Sequence, residues 1–515
     1  MPARSAPGRW RWASSSPAEC SGAAPHRGRG CWGPGPARGG SGWPDRPGPA
    51  RGGWPRLRSR GRRHHPPTGA RRARSTVPSR SRRLLALALP ATVTLVADPI
   101  MGLVDTAVVG RLGAAELGAL GLAVSVLAAG SWVFNFLVFG TTSAVARAVG
   151  AGERSTAGRR VSHATQVALA LGVVIGGLLF LAAPVLLRGL GAVEALLEPA
   201  TTYLRIRAVG IPFLLLGFVG HGAFRGVSDT RTPLGIAVGA NLVNAALTFW
   251  LVLGVGWGIA GAAWATVAAE VLTVAAFAVL LRRTGLPLAG HGAPRRRELA
   301  VLLAVSRDLV LRTGGLVLGL LAVAAAAARI DAETAAGYQV LYQTMLLLSF
   351  LMDGVAIAGQ AMVGTALGSG DRAEARAVGR TVLWWGVGGG LVLAVLLALG
   401  SGVLPRILTD DPAVLATVAT AWWLLALGQV MNGPVYALDG VLMGAEDFAY
   451  LRTWTVLAGI VGGVAGQLVA TLGGGLIGLW LAVQALMLVR LVSLVWRVRG
   501  SGWLSAGDTL GARRA

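Results

Sequence analysis

The amino-acid sequence predicts an all-α integral membrane protein with twelve transmembrane helices, arranged as two pseudo-symmetric six-helix lobes around a central cleft. A charge deficit, long apolar segments and an internal repeat together predict this fold. Of the 515 residues, 54% are hydrophobic and only 14% are charged, whereas a soluble domain carries roughly 25% charged residues. The apolar segments reach about 18 residues or more, which is enough to cross the hydrocarbon core of a bilayer. They must be helical there because lipid offers the backbone no hydrogen-bond partner.

The predicted spans follow one another from Leu84 onward. They comprise 84–109, 118–142, 161–187, 203–225, 233–254, 256–281, 309–329, 334–363, 379–402, 414–442, 451–472 and 475–497. The first six form the N-lobe, residues 84–281, and the last six form the C-lobe, residues 309–497. An Arg-, Gly- and Pro-rich linker, residues 282–308, joins the lobes, and residues 498–515 form a C-terminal cytoplasmic tail.

Residues 1–83 are rich in Pro, Gly, Ser and Arg and show neither helical nor strand periodicity. Such a segment buries too little apolar area to offset the entropy of ordering, so it is predicted to be a basic, disordered cytoplasmic tail. Binding of RNA or anionic lipid is the functional alternative. Both cysteines, Cys20 and Cys31, lie here, which leaves the membrane part without a disulfide or a thiol nucleophile.

The loop arginines set the orientation. Most of them lie on the side that holds the N-terminal tail, whereas few lie on the other side, such as Arg111, Arg188 and Arg406. Basic loops stay in the cytoplasm, so both termini are predicted to be cytoplasmic in a multi-pass protein of the cell membrane.

An internal repeat with an offset of 218 residues (145 to 363) relates the two lobes. In the first lobe its members are Val145, Ala148, Gly150, Gly152, Glu153 and Arg154, and in the second they are Val363, Ala366, Gly368, Gly370, Asp371 and Arg372. The same offset takes Gly226 and Asp229 to Gly444 and Asp447. Six spans per repeat give the halves parallel topology. Two equivalent lobes around a cleft are typical of a transporter with alternating access, whereas a channel does not need the duplication.

Five motifs carry a resemblance to a known family. They are GLVDTAVVG at 102–110, FRGVSDTRTPL at 224–234, DLVLRT at 308–313, DGVAIA at 353–358 and DGVLMG at 439–444. In this order they resemble the multidrug and toxic compound extrusion (MATE) family, and most closely its DinF-like branch. The resemblance covers roughly residues 84–497. It implies export of organic, often cationic or amphiphilic, compounds in exchange for H⁺ or Na⁺.

Two carboxylates of the first span, Asp98 and Asp105, are the predicted proton-coupling residues. Carboxylates inside a membrane are costly and therefore functional candidates, and seven residues of separation put both on nearly the same helical face. The resemblance places Asp105 at the coupling aspartate of the family. A structural aspartate, bonded to a neighbouring helix, is the alternative for each.

The family's second N-lobe carboxylate, on the fifth helix, is missing. Thr248 occupies its place, while Asn244 is kept one turn earlier. A single principal acid favours protons over Na⁺, which needs several oxygen ligands. We therefore predict coupling to an H⁺ gradient, with no cofactor and no metal site.

Further polar residues of the spans, Asn244 among them, are candidates for contact with substrate or ions. The repeat pairs Asn135 with Asp353 and His221 with Asp439. Each of these residues could instead support its lobe structurally. Glu270, inside the sixth span, is a secondary candidate.

Asp105 has no counterpart in the second lobe, because the repeat pairs it with Val323. Coupling is therefore predicted to belong to the N-lobe alone.

Three functions compete. The first is a proton-coupled exporter of small organic substrates, monomeric, with membrane lipid and no nucleic acid as partner. The second is a flippase for lipid-linked or amphiphilic precursors, which needs arginines in the cleft. Most arginines, Arg312 included, are predicted at span ends, with Arg205 and Arg207 the nearest exceptions. The third is a membrane-embedded enzyme, but the sequence contains no HExxH, Walker A or GxSxG arrangement in the required context.

We expect residues 1–76 to be dispensable for transport. A variant beginning at Val77 retains Arg80, Arg82 and Arg83, which preserve the orientation of the first span. It should insert with both termini inside and transport normally, as measured by tag accessibility and efflux. A short form that fails to insert or transport would make the tail a working part, in contact with anionic lipid.

Overall fold

The structure, a computed structural model, describes residues 79–190, 193–287 and 292–508, without the side chains of 98–100 and 129–133. Within these residues every regular element is helical. The predicted disordered tail lies outside the described residues up to residue 78.

The N-lobe consists of seven helices. They are α1 (Arg80–Val109), α2 (Ala114–Phe134), α3 (Phe136–Gly150), α4 (Arg154–Gly189), α5 (Glu194–Gly226), α6 (Arg231–Phe249), which continues as a π-helical turn at Trp250–Gly254, and α7 (Gly258–Arg282).

The C-lobe also consists of seven helices. They are α8 (Arg296–Ile330), α9 (Ala332–Gly368), α10 (Arg372–Leu399), the short α11 (Leu404–Leu408), α12 (Pro412–Gly444), α13 (Phe448–Leu472) and α14 (Gly475–Arg499). In the described part of the chain, eleven helices are long and apolar enough to cross a membrane, and α2 with α3 supplies the twelfth crossing. The predicted fold class is confirmed.

Two predicted spans differ most from the observed helices, while α4, α5 and α10 each begin seven to nine residues before their predicted spans. The second, 118–142, consists of α2 and α3, which meet at Asn135; its φ of −55° and ψ of −17° keep the chain in the helical region, so its direction is maintained. Helix α8 begins at Arg296, well before the predicted start at 309. Apolarity reveals only the part of a helix that lies in hydrocarbon, and the start of α8 is charged.

Carboxylates cap three helices of the C-lobe. Asp331 accepts a hydrogen bond from Thr334 N at 2.6 Å and opens α9. Asp371 opens α10 in the same way, and Asp411 opens α12. Such caps satisfy the free N–H groups of a first helical turn. These three acids therefore have a structural role at helix ends.

Backbone geometry reproduces the internal repeat. Gly152 and Gly370, one offset apart, have φ of 76° and 78°. Ser228 and Glu446, also one offset apart, are the non-glycine residues with positive φ in the described chain, at 62° and 59°. A left-handed residue other than Gly is uncommon, so this coincidence shows that the two lobes share one backbone design.

The lobes meet on the side of the bundle where both described chain ends lie, here called the terminus side. Ser143 of α3 donates to Met443 O at 2.8 Å. Gln360 of α9 donates to Phe139 O at 2.8 Å and to Ser143 Oγ at 2.7 Å. All four residues lie in the terminus-side halves of their helices, so the cleft is closed at this end.

Two glycines bring α3 and α9 together at the same level. A Cβ added to Gly150 would collide with the carbonyl oxygen of Thr365, and one added to Gly368 would collide with that of Arg147. The offset of 218 relates Gly150 to Gly368 and Arg147 to Thr365. The two contacts are therefore copies of one another across the pseudo-symmetry axis.

Ion pairs also join the lobes on the terminus side. Arg80 of α1 lies 2.6 Å from Glu374 of α10. Asp508, beyond α14, binds Arg147 of α3 at 2.9 Å and Arg372 of α10 at 3.2 Å. The C-terminal segment thus contacts both lobes.

Candidate functional site

Asp105 lies near the end of α1 that is remote from the terminus side, where it faces α6 and α7. Thr248 Oγ1 donates to Asp105 Oδ1 at 3.1 Å. With the Asn244 amide oriented to satisfy its neighbours, its nitrogen donates to the same oxygen at 3.3 Å and its oxygen accepts from Thr266 Oγ1 at 3.1 Å. The hydrogen-bond partners of Asp105 are therefore neutral.

An ion pair between α5 and α7 lies in the same lobe. Arg207 Nη2 donates to Glu270 Oε1 at 2.8 Å, and only 9% of Arg207 is exposed. Arg207 also interacts electrostatically with Asp105 and with the hydroxyl of Tyr203. The sequence predicted Glu270 as a secondary candidate but did not reveal its partner.

These groups form what we call the N-lobe cluster. Its members are Asp105, Tyr203, Arg207, Asn244, Thr248, Thr266 and Glu270. Two carboxylates face one guanidinium, so the cluster carries a formal charge of minus one when both acids are ionised. Binding of one monovalent cation, which can be a proton, therefore brings the formal charge of the cluster to zero.

Three other N-lobe candidates are not part of this cluster as the structure describes it. The side chain of Asp98 lies outside the described residues. Asn135 is half-buried at the junction of α2 and α3. His221 lies nearer the terminus side, with its ring edge-to-face on Phe277 at 4.9 Å between centroids. Its Nδ1 is buried without a partner among the described residues.

Asp439 of α12 is the centre of a second cluster in the C-lobe. Arg490 of α14 donates to Asp439 Oδ2 at 2.8 Å, and Arg312 of α8 donates to the same oxygen. All three side chains are almost fully buried. The predicted position of Arg312 at a span end is wrong, because α8 starts earlier and places this residue inside the lobe.

Asp353 lies beside this cluster without a hydrogen bond to any described residue, in the electrostatic field of Arg312, Arg490 and Asp439. The Arg490 guanidinium also lies 5.9 Å from the ring centroid of Tyr436. Within the C-lobe two carboxylates thus face two guanidinium groups, and Arg225 of α5 in the other lobe also acts electrostatically on Asp353. Buried charges persist when they are paired in this way.

The two lobes differ at the position of the N-lobe acid. The repeat relates Asp105 to Val323 and Thr248 to Gly466. Val323 is fully buried and packs directly against Gly466. One contact is therefore polar in the N-lobe and apolar in the C-lobe, as expected if only the N-lobe couples to a cation.

The pairing of arginines with acids in the clusters was not predicted: Arg207 was predicted only as an arginine near the cleft, and Arg490 was not predicted as a site residue. Arg207 and Arg490 lie inside predicted spans, where an unpaired charge is costly. Matching each such arginine with an acid of another span would have suggested Arg207 with Glu270. Which acid belongs to which arginine still depends on helix packing.

Comparisons with known proteins agree with the fold of the chain. The family model described as MatE matches residues 90–250 and 316–464, one segment in each lobe. Protein DETOXIFICATION 44, chloroplastic, of Arabidopsis thaliana is 34% identical over 436 residues, covering 81% of each chain. DNA damage-inducible protein F of Escherichia coli K12 is 31% identical over 435 residues, covering 82% of this chain and 93% of its own. A crystal structure of MATE in the bent conformation superposes with a TM-score of 0.77 at 21% identity, covering 84% of this chain and 98% of its own.

Proposed function

Because the chain belongs to the MATE family of transporters, we propose that it is a secondary active antiporter that exports organic, often cationic or amphiphilic, compounds in exchange for protons. The protein is a multi-pass membrane transporter and not an enzyme. The proposal concerns the coupling ion, the substrate class and the direction of transport. Both termini are then in the cytoplasm of a cell that carries the protein in its plasma membrane.

The neutral surroundings of Asp105 carry this proposal. Thr248 and Asn244 donate hydrogen bonds to the carboxyl group, but the neighbouring guanidinium of Arg207 is engaged with Glu270. An ionised carboxylate in an apolar lobe needs a compensating cation. A proton and a cationic substrate are two such cations, and binding of either one removes the need for the other. Competition between the proton and the cationic substrate for Asp105 is what the exchange of one for the other requires.

The contacts on the terminus side support alternating access. With cytoplasmic termini, the closed end of the cleft faces the cytoplasm, and the N-lobe cluster lies in the half of the lobe nearer the outside. Opening toward the cytoplasm requires α3 and α9 to separate at Gly150 and Gly368. The ion pair between Arg80 and Glu374 must also break. The lobes would then rock about their shared axis.

Proton coupling is tested in proteoliposomes with imposed ion gradients. We expect efflux of an organic cation to collapse when a protonophore is added, because the only charge released at Asp105 is a proton. Efflux should persist when Na⁺ is replaced by choline. Liposomes without protein and liposomes with the Asp105→Asn variant serve as controls. A strict requirement for Na⁺ would contradict the proposal and direct attention to Asp353 and Asp439.

A further inference from the structure

The ion pair in the N-lobe is incomplete. Arg207 Nη1 and Glu270 Oε2 are both buried and lack a hydrogen-bond partner among the described residues. Arg207 Nη2 and Glu270 Oε1, in contrast, are bonded to each other. Gly210 leaves room for this arrangement, since a Cβ there would lie only 2.5 Å from Glu270 Oε2. A buried donor without a partner costs free energy, so a change that gives Nη1 an acceptor is favoured.

Asp105 is the acceptor that this free donor can serve. Asn244, which contacts Asp105, also accepts a hydrogen bond from Thr266, and Thr266 lies one helical turn before Glu270 on α7. The Arg207 guanidinium that binds Glu270 also interacts electrostatically with Asp105, and it has five N–H donors to distribute among acceptors. While Asp105 holds a proton, it needs no cation and its neutral partners suffice. Once the proton leaves for the water of the cleft, the new carboxylate attracts Arg207.

We propose that Arg207 is a movable counter-charge of the coupling site, held by Glu270 while Asp105 is protonated and shared with Asp105 after the proton leaves. This inference rests on the proposed function of Asp105. Arg207 is then a positioning residue that sets how readily Asp105 releases its proton, and Glu270 limits its access to Asp105.

The other elements packed around Asp105 bring no further described charge to it. Helix α5 contributes Tyr203 in addition to Arg207, and α6 contributes the neutral Asn244 and Thr248. The sequence of α2 has one charged residue, Glu116, in its first turn. On α9, Asp353 belongs to the C-lobe cluster. Among the described side chains, the charge balance at Asp105 therefore depends on Arg207 and Glu270.

Two variants should move the protonation of Asp105 in opposite directions. Glu270→Gln frees Arg207 for Asp105 and keeps side-chain volume, so Asp105 should lose its proton at a lower pH. Arg207→Gln combined with Glu270→Gln removes the counter-charge without leaving a buried ion unpaired, so Asp105 should keep its proton to a higher pH. Shifts of about one pH unit are expected, since an opposite charge nearby changes a carboxyl titration by roughly one to three units.

The measurement is carbodiimide labelling of Asp105 in the purified full-length protein as a function of pH. Dicyclohexylcarbodiimide reacts with protonated carboxyl groups in apolar surroundings, and mass spectrometry gives the midpoint pH of labelling at this residue. The matched control neutralises a pair inside the C-lobe, Arg497→Gln with Asp447→Asn, whose side chains lie 2.6 Å apart. Its midpoint should equal that of the wild type.

Opposite shifts in the two test variants support the inference. Unchanged midpoints in folded protein, or shifts in the same direction, overturn it, because Arg207 would then not act as the counter-charge of Asp105. If the double variant does not fold, the downward shift of Glu270→Gln decides alone. Labelling does not require transport, so a wild type that titrates at Asp105 but ignores proton gradients would contradict the proposed function and not this inference.

Discussion

Replacing Asp105 with asparagine is expected to reduce gradient-driven efflux to background while the yield of folded protein stays near that of the wild type. The amide keeps the volume of the side chain and can still hydrogen-bond with Thr248, but it cannot titrate. The N-lobe cluster then has one carboxylate for one guanidinium and no longer binds a proton. Efflux in proteoliposomes and size-exclusion profiles in detergent measure the two quantities.

The same chemical change elsewhere provides the controls. Asp410→Asn alters an exposed acid in the loop before α12, and it should leave efflux unchanged. Asp98→Asn, seven residues before Asp105, should do less damage than Asp105→Asn. Equal loss at both positions would indicate a coupled pair of acids with shared titration. Efflux of about half the wild-type rate or more in Asp105→Asn would remove this residue from the coupling role.

The second large effect is expected at the contact between the lobes. Gly150→Ala and Gly368→Ala each introduce a methyl group that meets backbone of the opposite lobe. Overpacking of a tight contact costs about 1–3 kcal/mol, which lowers the equilibrium ratio of the form closed on the terminus side to the open form by roughly 5- to 150-fold. Each lobe should still fold, because the collision involves only the other lobe. Efflux should fall in proportion to the loss of the closed form.

Cysteine labelling measures this closure directly. Ser143→Cys places a thiol in the buried contact between the lobes, after the two tail cysteines, Cys20 and Cys31, have been replaced by serine. A membrane-impermeant maleimide added on the terminus side should label this thiol faster in the glycine variants. Gly388→Ala is the matched control, since a Cβ there has no neighbour within 4 Å. Equal labelling in Gly150→Ala and in the control would show that this contact does not limit closure.

Sequence reasoning recovers the features that repeat or persist along the chain. The span count and the duplication are visible because apolar length and a fixed offset recur, and the paired φ values at Ser228 and Glu446 follow the same offset. Asp98 and Asp105 are recognised as candidates because carboxylates are costly in an apolar span, and the family resemblance gives Asp105 priority. Each of these features is encoded within one helix or one motif.

Features that depend on contact between distant helices could not be predicted in the same way. Asp439 is bound by Arg312 of α8 and Arg490 of α14, and only helix packing brings these two side chains to one oxygen. The free atoms of Arg207 and Glu270 likewise depend on the angle between α5 and α7. Apolarity locates the membrane part of a helix but says nothing about which charges meet inside a lobe.

The reciprocal approach of Gly150 to Thr365 and of Gly368 to Arg147 has the geometry of a homodimer interface. In a twofold dimer, residue i of one subunit meets residue j of the other, and j meets i in return. The protein holds this arrangement within a single polypeptide, so it can be regarded as a dimer whose subunits have been fused. A single chain also allows the two halves to differ: one has the acid Asp105, while the other has Val323 at the same place. A symmetric dimer would carry two such acids, whereas the fused chain carries one at this pair of positions.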